Sequence, residues 1–240
     1  IMAFFGNKMM VFEDGVSYAS SLILYQTFKN TVADLTGLNV PTTAFTSYVN
    51  GLYSGLPNES ILFDGTSDKV IIPNNARFSF VSKAPFSIIL AVNLTSVTGN
   101  KWILQKRGSS SLSTAEYQIY ISSGVLYIFL FDASTSGYIA YNLGSVAVGV
   151  NYVIAISYDA VNEIVCKINN VARAVTKTTT GTFTSMRVTS SNVSLFFNVW
   201  SPSISGAGTV DTLAIGNKSL TSADFTDIYT KITTNQSLLL

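Results

Sequence analysis

Residues 60–75, SILFDGTSDKVIIPNN, constrain the fold more than any other stretch. Ile61, Leu62 and Phe63 form a short apolar run. Asp64-Gly65 follows as a turn pair, because Gly enters φ > 0 without steric cost and Asp bonds its own backbone. Lys69, Val70, Ile71 and Ile72 make a second, largely β-branched run. Pro73 ends it, since proline has no N–H to give a ladder. The reading is strand, tight turn, strand.

The same two-residue period recurs down the chain. In residues 22–28, Leu22, Leu24, Gln26 and Phe28 alternate with Ile23, Tyr25 and Thr27. In residues 86–94, Phe86, Ile88, Leu90, Val92 and Leu94 share one face, which predicts Phe86, Ile88, Leu90 and Val92 inside. They would face Val125, Tyr127 and Phe129 or the opposite-face set of that strand. Residues 117–121, the turn at Ser122-Ser123-Gly124 and residues 125–131 read as a hairpin. Residues 125–131 are apolar on both faces, which predicts a central strand covered on both sides. Further strands are read at 102–106, 137–143, 149–159, 164–168, 193–200 and 209–215. Residues 34–39 read as a turn, residues 176–184 as a Thr-rich loop, and Gly206-Ala207-Gly208 as a loop. Residues 40–53 show no clear pattern. Thr221 or Ser222 caps one short C-terminal helix, with Asp224 at its positive end and Lys231 near its negative end. Many short strands at close intervals argue for a two-sheet sandwich.

Composition narrows the partners. Of 240 residues, 48% are apolar and only 11% charged, against a usual charged share of about a quarter. Such a surface either meets other copies and other proteins widely or is polar through Ser, Thr and Asn instead of charge. Net charge is +1, and Lys106-Arg107 is the only adjacent basic pair. Counterion release needs clustered cations, so nucleic acid is not an expected partner. No apolar stretch reaches the ~20 residues a membrane helix needs. The apolar run at residues 2–5 is too short for a secretory leader. Cys166 is alone, on the same face as Ile164 and Ile168, and reads as a small buried hydrophobe.

Several segments resemble LamG-like, concanavalin A-like lectin domains. Residues 60–75 resemble the phrase FDG-x-x-D-Y-V-x-IP that opens that family's sheet core. Asp34, Thr36, Gly37 and Asn39 partly match its early polar segment. Residues 86–94 resemble a core strand, with Ala91 at the aromatic position. Trp102 to Lys106 resemble x-I-L-x-K, and residues 117–131 match Y-x-L-x-I-x-x-G-x-L-x-F. Residues 149–159 resemble G-x-W-H-H-V-A-x-T-Y-D, with Tyr152 for the Trp and both His missing. Residues 164–170, 209–215 and 220–225 resemble the closing motifs. The match runs, with gaps, from about residue 22 to residue 232. It implies an all-β, two-sheet antiparallel jelly-roll sandwich, in a family that includes binders, enzymes and structural modules. The expected division is an arm at 1–20, a sandwich at 21–232 and a tail at 233–240. The first segment concentrates Met2, Met9 and Met10 with Phe4, Phe5 and Phe12. It reads as a docking arm buried against another subunit, with a first edge strand as the alternative.

Catalytic chemistry is sparse. The chain has no His, which excludes Ser-His-Asp and Cys-His sites and the usual zinc sites. Glycoside hydrolysis needs two carboxylates about 5–9.5 Å apart, and no E-x-D-x-E strand triplet is present. Glu116, Asp132, Asp159 and Glu163 fall near strand ends or turns. Asp64 and Asp211 occupy the positions of the resembled family's most regular acidic residues. Each reads as an acceptor for backbone N–H groups that pin a turn. Structural calcium, with its six to eight oxygen ligands, is the alternative, and no cofactor is otherwise expected. The remaining candidates for ligand binding are aromatic residues at strand ends: Trp200 before Ser201-Pro202, and Tyr138 with Tyr141 beside Asp132.

The resemblance and the low charge together point to a non-enzymatic structural or adhesion protein. The expected setting is the surface of a virus particle, bacteriophage included, as a decoration, head-fibre or tail-fibre component that binds glycan. Its partners would be other virion proteins, identical copies, and cell-surface glycans. A carbohydrate-binding lectin, extracellular or on a cell surface, is the alternative, and a degenerate glycosidase the third.

Overall fold

A computed structural model describes residues 18–239, except 30, 32, 40, 45–46, 135–136 and 199–200. The expected arm therefore lies outside the described residues up to residue 17. Its last residues do not stand apart, because Tyr18–Ser21 form a 3-10 turn with Tyr18 buried on the sandwich.

In chain order the strands are β1 (Leu22–Thr27), β2 (Thr42–Ala44), β3 (Ser47–Val49), β4 (Ser60–Asp64), β5 (Lys69–Ile72), β6 (Phe86–Leu94), β7 (Asn100–Arg107) and β8 (Ala115–Ser122). Then come β9 (Val125–Phe131), β10 (Tyr138–Ser145), β11 (Asn151–Asp159), β12 (Glu163–Ile168), β13 (Val171–Ala172), β14 (Thr176–Thr180), β15 (Val193–Leu195) and β16 (Ala207–Gly216). One helix, α1 (Ser222–Thr233), closes the chain. The described residues form two sheets of eight strands each. One runs β13-β12-β11-β6-β16-β4-β3, with β1 also on β16. The other runs β14-β10-β9-β8-β7-β15-β5-β2. All named strand pairs are antiparallel. The fold is the expected two-sheet jelly-roll sandwich with a C-terminal helix.

The interior follows from alternation. Phe86, Ile88, Leu90 and Val92 of β6 lie in the core between the sheets, as their period requires. From β9 the core takes Leu126, Ile128 and Leu130, the opposite-face set, and not Val125, Tyr127 or Phe129. Cys166 is buried in the same core, and burial pushes its thiol up to about 12.

The outer face of the first sheet is covered by α1. Phe225, Ile228 and Ile232, at helical spacing, pack on Ile89, Ala91, Val153, Ala155 and Ala214. Three alanines on that face leave room for the helix. This explains Ala91 where the resembled family has an aromatic residue. The segment after α1 is not a free tail either: Leu238 is fully buried, and its N–H donates to the Tyr25 hydroxyl at 3.0 Å.

The structure departs from the local readings in four places. Residues 176–184 were expected to loop, yet Thr176–Thr180 pair with β10 as the edge strand β14. The strand expected at 193–200 is only Val193–Leu195, because Phe196 turns to φ 55°. Residues 40–53, without pattern, hold the short strands β2 and β3. Gly206-Ala207-Gly208, expected as a loop, is strand from Ala207 onward, inside β16, where a Cβ at Gly208 would collide with the Asn93 carbonyl oxygen.

Candidate functional site

The outer face of the second sheet has no helix over it among the described residues. Alternation along β8, β9 and β10 sends one set of side chains to that face. From β9 these are Tyr127, Phe129 and Phe131; from β8, Gln118 and Tyr120; from β10, Tyr138, Ala140 and Asn142. Register then lines them up. Tyr120 sits opposite Tyr127 on one side and Trp102 of β7 on the other. Phe131 sits opposite Tyr138, and Phe129 opposite Ala140. A register shift between Trp102 and Leu104 turns Ile103 and Leu104 both into the core and leaves Trp102 beside Tyr120.

The result is one ribbon of rings across four strands. Trp102 and Tyr120 stack at 5.3 Å between centroids with planes 22° apart, and Tyr120 and Tyr127 at 5.5 Å and 20°. Phe129 meets Tyr120 at 5.2 Å and 54°, and Tyr138 at 5.2 Å and 33°. These separations are those of offset and tilted pairs, not of eclipsed rings. Trp102 and Phe131 are buried, whereas Tyr120, Tyr127, Phe129 and Tyr138 are half-buried, so the middle of the ribbon faces solvent.

The surround is polar without free charge. Thr176, Thr178 and Thr180 of β14 continue the face opposite Asn142, Ala140 and Tyr138, and all three are exposed. The Arg107 guanidinium lies 6.0 Å from the Phe131 ring, and its N–H groups go to the carbonyls of Ser109 and Ser110 and to Gln118 Oε1. Burial, with Tyr127 and Tyr138 nearby, raises the Tyr120 hydroxyl above its ordinary value, so it stays protonated at neutral pH. Flat rings, tyrosine hydroxyls and neutral amides together can hold a ligand that is apolar on its faces and polar at its edges.

Of the residues expected from sequence, Tyr138 lies on this ribbon. Tyr141 does not: three positions along a strand reverses the face, and its ring is in the core with 1% exposure. Asp132 is also unavailable to a ligand, because its oxygens are occupied. Oδ1 accepts from the N–H groups of Thr184 at 2.6 Å and Ser185 at 3.0 Å, and Oδ2 from that of Ser134 at 2.9 Å. Burial opposes its ionisation, but these hydrogen bonds outweigh it and hold the carboxyl well below the usual carboxylate range. Trp200 lies outside the described residues. The rings that sequence reasoning missed are Trp102, Tyr120, Tyr127 and Phe129. Their signal was present, because residues 125–131 are apolar on both faces, but the expected cover on both sides is not there among the described residues: one face meets the core and the other carries the half-open ribbon.

The other acidic residues are engaged locally. Asp64 accepts from the N–H groups of Thr66, Ser67 and Asp68 at 2.7, 2.9 and 3.1 Å, which pins the turn after β4. Asp159 does the same for Val161 and Asn162 at 2.8 and 2.6 Å. Glu163 pairs with Lys177, and Glu116 is buried against Lys106. Among the described residues no group of three or more acidic or Cys side chains is placed to hold a metal ion.

No protein-family model matches the chain, and no curated protein matches it. Solved structures do resemble it. The binding domain of Paraclostridial Mosquitocidal Protein 1 superposes with a TM-score of 0.72 at 11% identity, covering 89% of this chain and 52% of that one. The binding domain of botulinum neurotoxin DC in complex with SialylT gives 0.66 at 16% identity, covering 90% and 52%. Botulinum neurotoxin type C, whose cell entry is dependent upon interaction with two ganglioside molecules, gives 0.65 at 16% identity, with the same coverage. The chain spans about half the length of these structures, and at such identities the likeness is one of fold.

Proposed function

We propose that this chain is a non-enzymatic adhesion module that binds neutral glycan across the aromatic face of its second sheet, and that it is displayed on the surface of a virus particle. The observation that carries the binding reading is the half-open ribbon of Tyr120, Tyr127, Phe129 and Tyr138. Sugar rings present C–H faces that pack on aromatic rings and hydroxyls that pair with amides and phenols, and this face offers both. The fold likeness to binding domains of toxins supports the same direction.

The virion setting, as a decoration, head-fibre or tail-fibre component, rests on composition: few charges, many Ser, Thr and Asn, and a Met- and Phe-rich segment at 1–20, which would dock on identical copies or other virion proteins. A lectin that is extracellular or attached to a cell is the second reading, and the same aromatic face would serve it.

Two experiments separate these readings. On a glycan array the full chain should retain neutral oligosaccharides, and a Tyr127→Ala, Phe129→Ala double variant that keeps its fold should lose them. An array with no retained glycan would defeat the binding reading. Co-purification with particles at fixed stoichiometry supports the virion setting, and its loss on deletion of residues 2–13 supports the docking segment. A protein recovered only as a free, glycan-binding monomer would be a lectin instead.

A further inference from the structure

A separate cleft of about 160 Å³ opens at one end of the helix-covered layer, between the last turn of α1, the segment after it and the edge of β1 and β16. It is built around a buried carboxylate. Asp211 sits at the register shift of β16, between Val210 and Thr212, where the strand exchanges β4 for β1 as its neighbour. Such a bulge re-aims a side chain. Asp211 is 8% exposed and lines the cleft.

It has three hydrogen bonds, and the two to Oδ2 are long. Oδ2 accepts from the Leu52 N–H at 3.3 Å and the Ser60 hydroxyl at 3.4 Å, and Oδ1 from the Thr212 hydroxyl at 3.0 Å. An ionised carboxylate has about four acceptor sites and ordinarily takes shorter bonds. Burial raises its carboxyl above the ordinary value. The site thus offers acceptor capacity that the fold does not fill.

The rim is neutral. Lys29 Nζ hydrogen-bonds Asn235 Oδ1 and lies 3.8 Å from Glu59 Oε1, while Asn235 Nδ2 donates to Glu59 Oε2 at 3.3 Å. Its one cation is therefore shared between Glu59 and Asp211, whose ionised form it favours. Leu35 and Ile232 supply an apolar wall, and Thr27 and Ser237 add hydroxyls.

We propose that this cleft binds a single neutral pyranose, with Asp211 accepting from a ring hydroxyl and the Leu35–Ile232 wall against the sugar's C–H face. Its volume is well below the roughly 300–1,000 Å³ of sites for drug-sized ligands, which limits it to one ring. An acidic sugar would set a third carboxylate beside Asp211 and Glu59, which Lys29 already serves. The site is independent of the aromatic face, which lies on the opposite sheet. The sugar would be either a free monosaccharide or the terminal residue of a glycan.

The test is a titration of the isotopically labelled full chain with methyl glycosides of glucose, galactose and mannose, followed by amide NMR. At least one should move the resonances of Thr27, Thr212 and Ser237 saturably. Asp211→Asn, which keeps the side-chain shape, should weaken that response at least tenfold. Leu35→Trp should abolish it by filling the mouth from a residue that is 44% exposed and outside the core. Tyr127→Ala, on the other face, should leave it unchanged. A trisaccharide bound more tightly than its terminal glycoside would identify a glycan end, and equal binding a free sugar. If no glycoside moves these resonances, or if Leu35→Trp leaves the response intact, the cleft is not a sugar site, whatever the aromatic face binds.

Discussion

At the scale of residues, the described part of the sandwich encloses one ion pair that water does not reach. Lys106 and Glu116 both have 0% side-chain exposure. Glu116 Oε1 also accepts from the Thr189 N–H at 2.6 Å and the Ser79 hydroxyl at 3.2 Å, and Lys106 donates to the Thr189 carbonyl at 3.1 Å. Removing one partner strands the other charge, so Lys106→Met should cost about 3–5 kcal/mol in denaturant unfolding. Adding Glu116→Gln should recover a large part of that loss; a double variant as unstable as the single one would show that packing, not charge, sets the cost. Asp132 gives a pH prediction. Its folded carboxyl lies below the unfolded value of about 3.9, so its stabilisation is complete above that value and is lost as pH falls through the folded one. Asp132→Asn should therefore destabilise at pH 7 and show a shallower decline below about pH 4 in acid melts. Equal acid limbs for the two proteins would mean the three N–H bonds do not control that carboxyl. Both Asp132 and Glu116 were visible as strand-end carboxylates; their partners, fifty or more residues away at Thr184 and Thr189, were not.

At the scale of elements, α1 shows how far local sequence reaches. Thr221 Oγ1 accepts from the Asp224 N–H at 3.2 Å, and Asp224 Oδ2 from the Thr221 N–H at 2.7 Å, a reciprocal capping box. Lys231 pairs with Asp227 at 2.9 Å one turn earlier. Thr221→Ala should lower stability by about 1 kcal/mol, read as a shift of the unfolding midpoint with an unchanged denaturant slope. A changed slope would mean that the helix had detached and not merely lost a cap. The cap, the turn at Asp64-Gly65 and the alternation of β6 were all legible because each is set within a few residues. Strand β14 was not legible: Thr-Lys-Thr-Thr-Thr has β propensity but no apolar alternation, and only its ladder with β10 decides that it is a strand.

At the scale of the whole molecule, the two outer faces differ in kind. One is roofed by α1 over small side chains, and the other carries large rings with no such roof among the described residues. A face without free charge binds through burial and neutral hydrogen bonds, which salt does not screen. If the ribbon binds glycan as proposed, its affinity should change by less than about twofold between 0.05 and 0.5 M NaCl, although that range shortens the Debye length severalfold. A steep fall would mean that charged residues outside the ribbon hold the ligand.

The sequence by itself determined the class of fold, its helix and the buried face of β6, because period-2 burial, turn chemistry and caps are local and add up along the chain. It also narrowed the chemistry, since a chain without His lacks most nucleophilic and zinc sites. Tertiary structure alone decided which apolar face of β9 meets the core, that Tyr141 and not Tyr138 is the one turned inward, and that rings from β7, β8, β9 and β10 adjoin. It decided as well that Asp211 faces a cleft where β4 gives way to β1. The physical reason is the same in each case. Which strands are neighbours is fixed by contacts between distant segments, and a strand's own residues carry only its alternation, not the identity of what lies beside it.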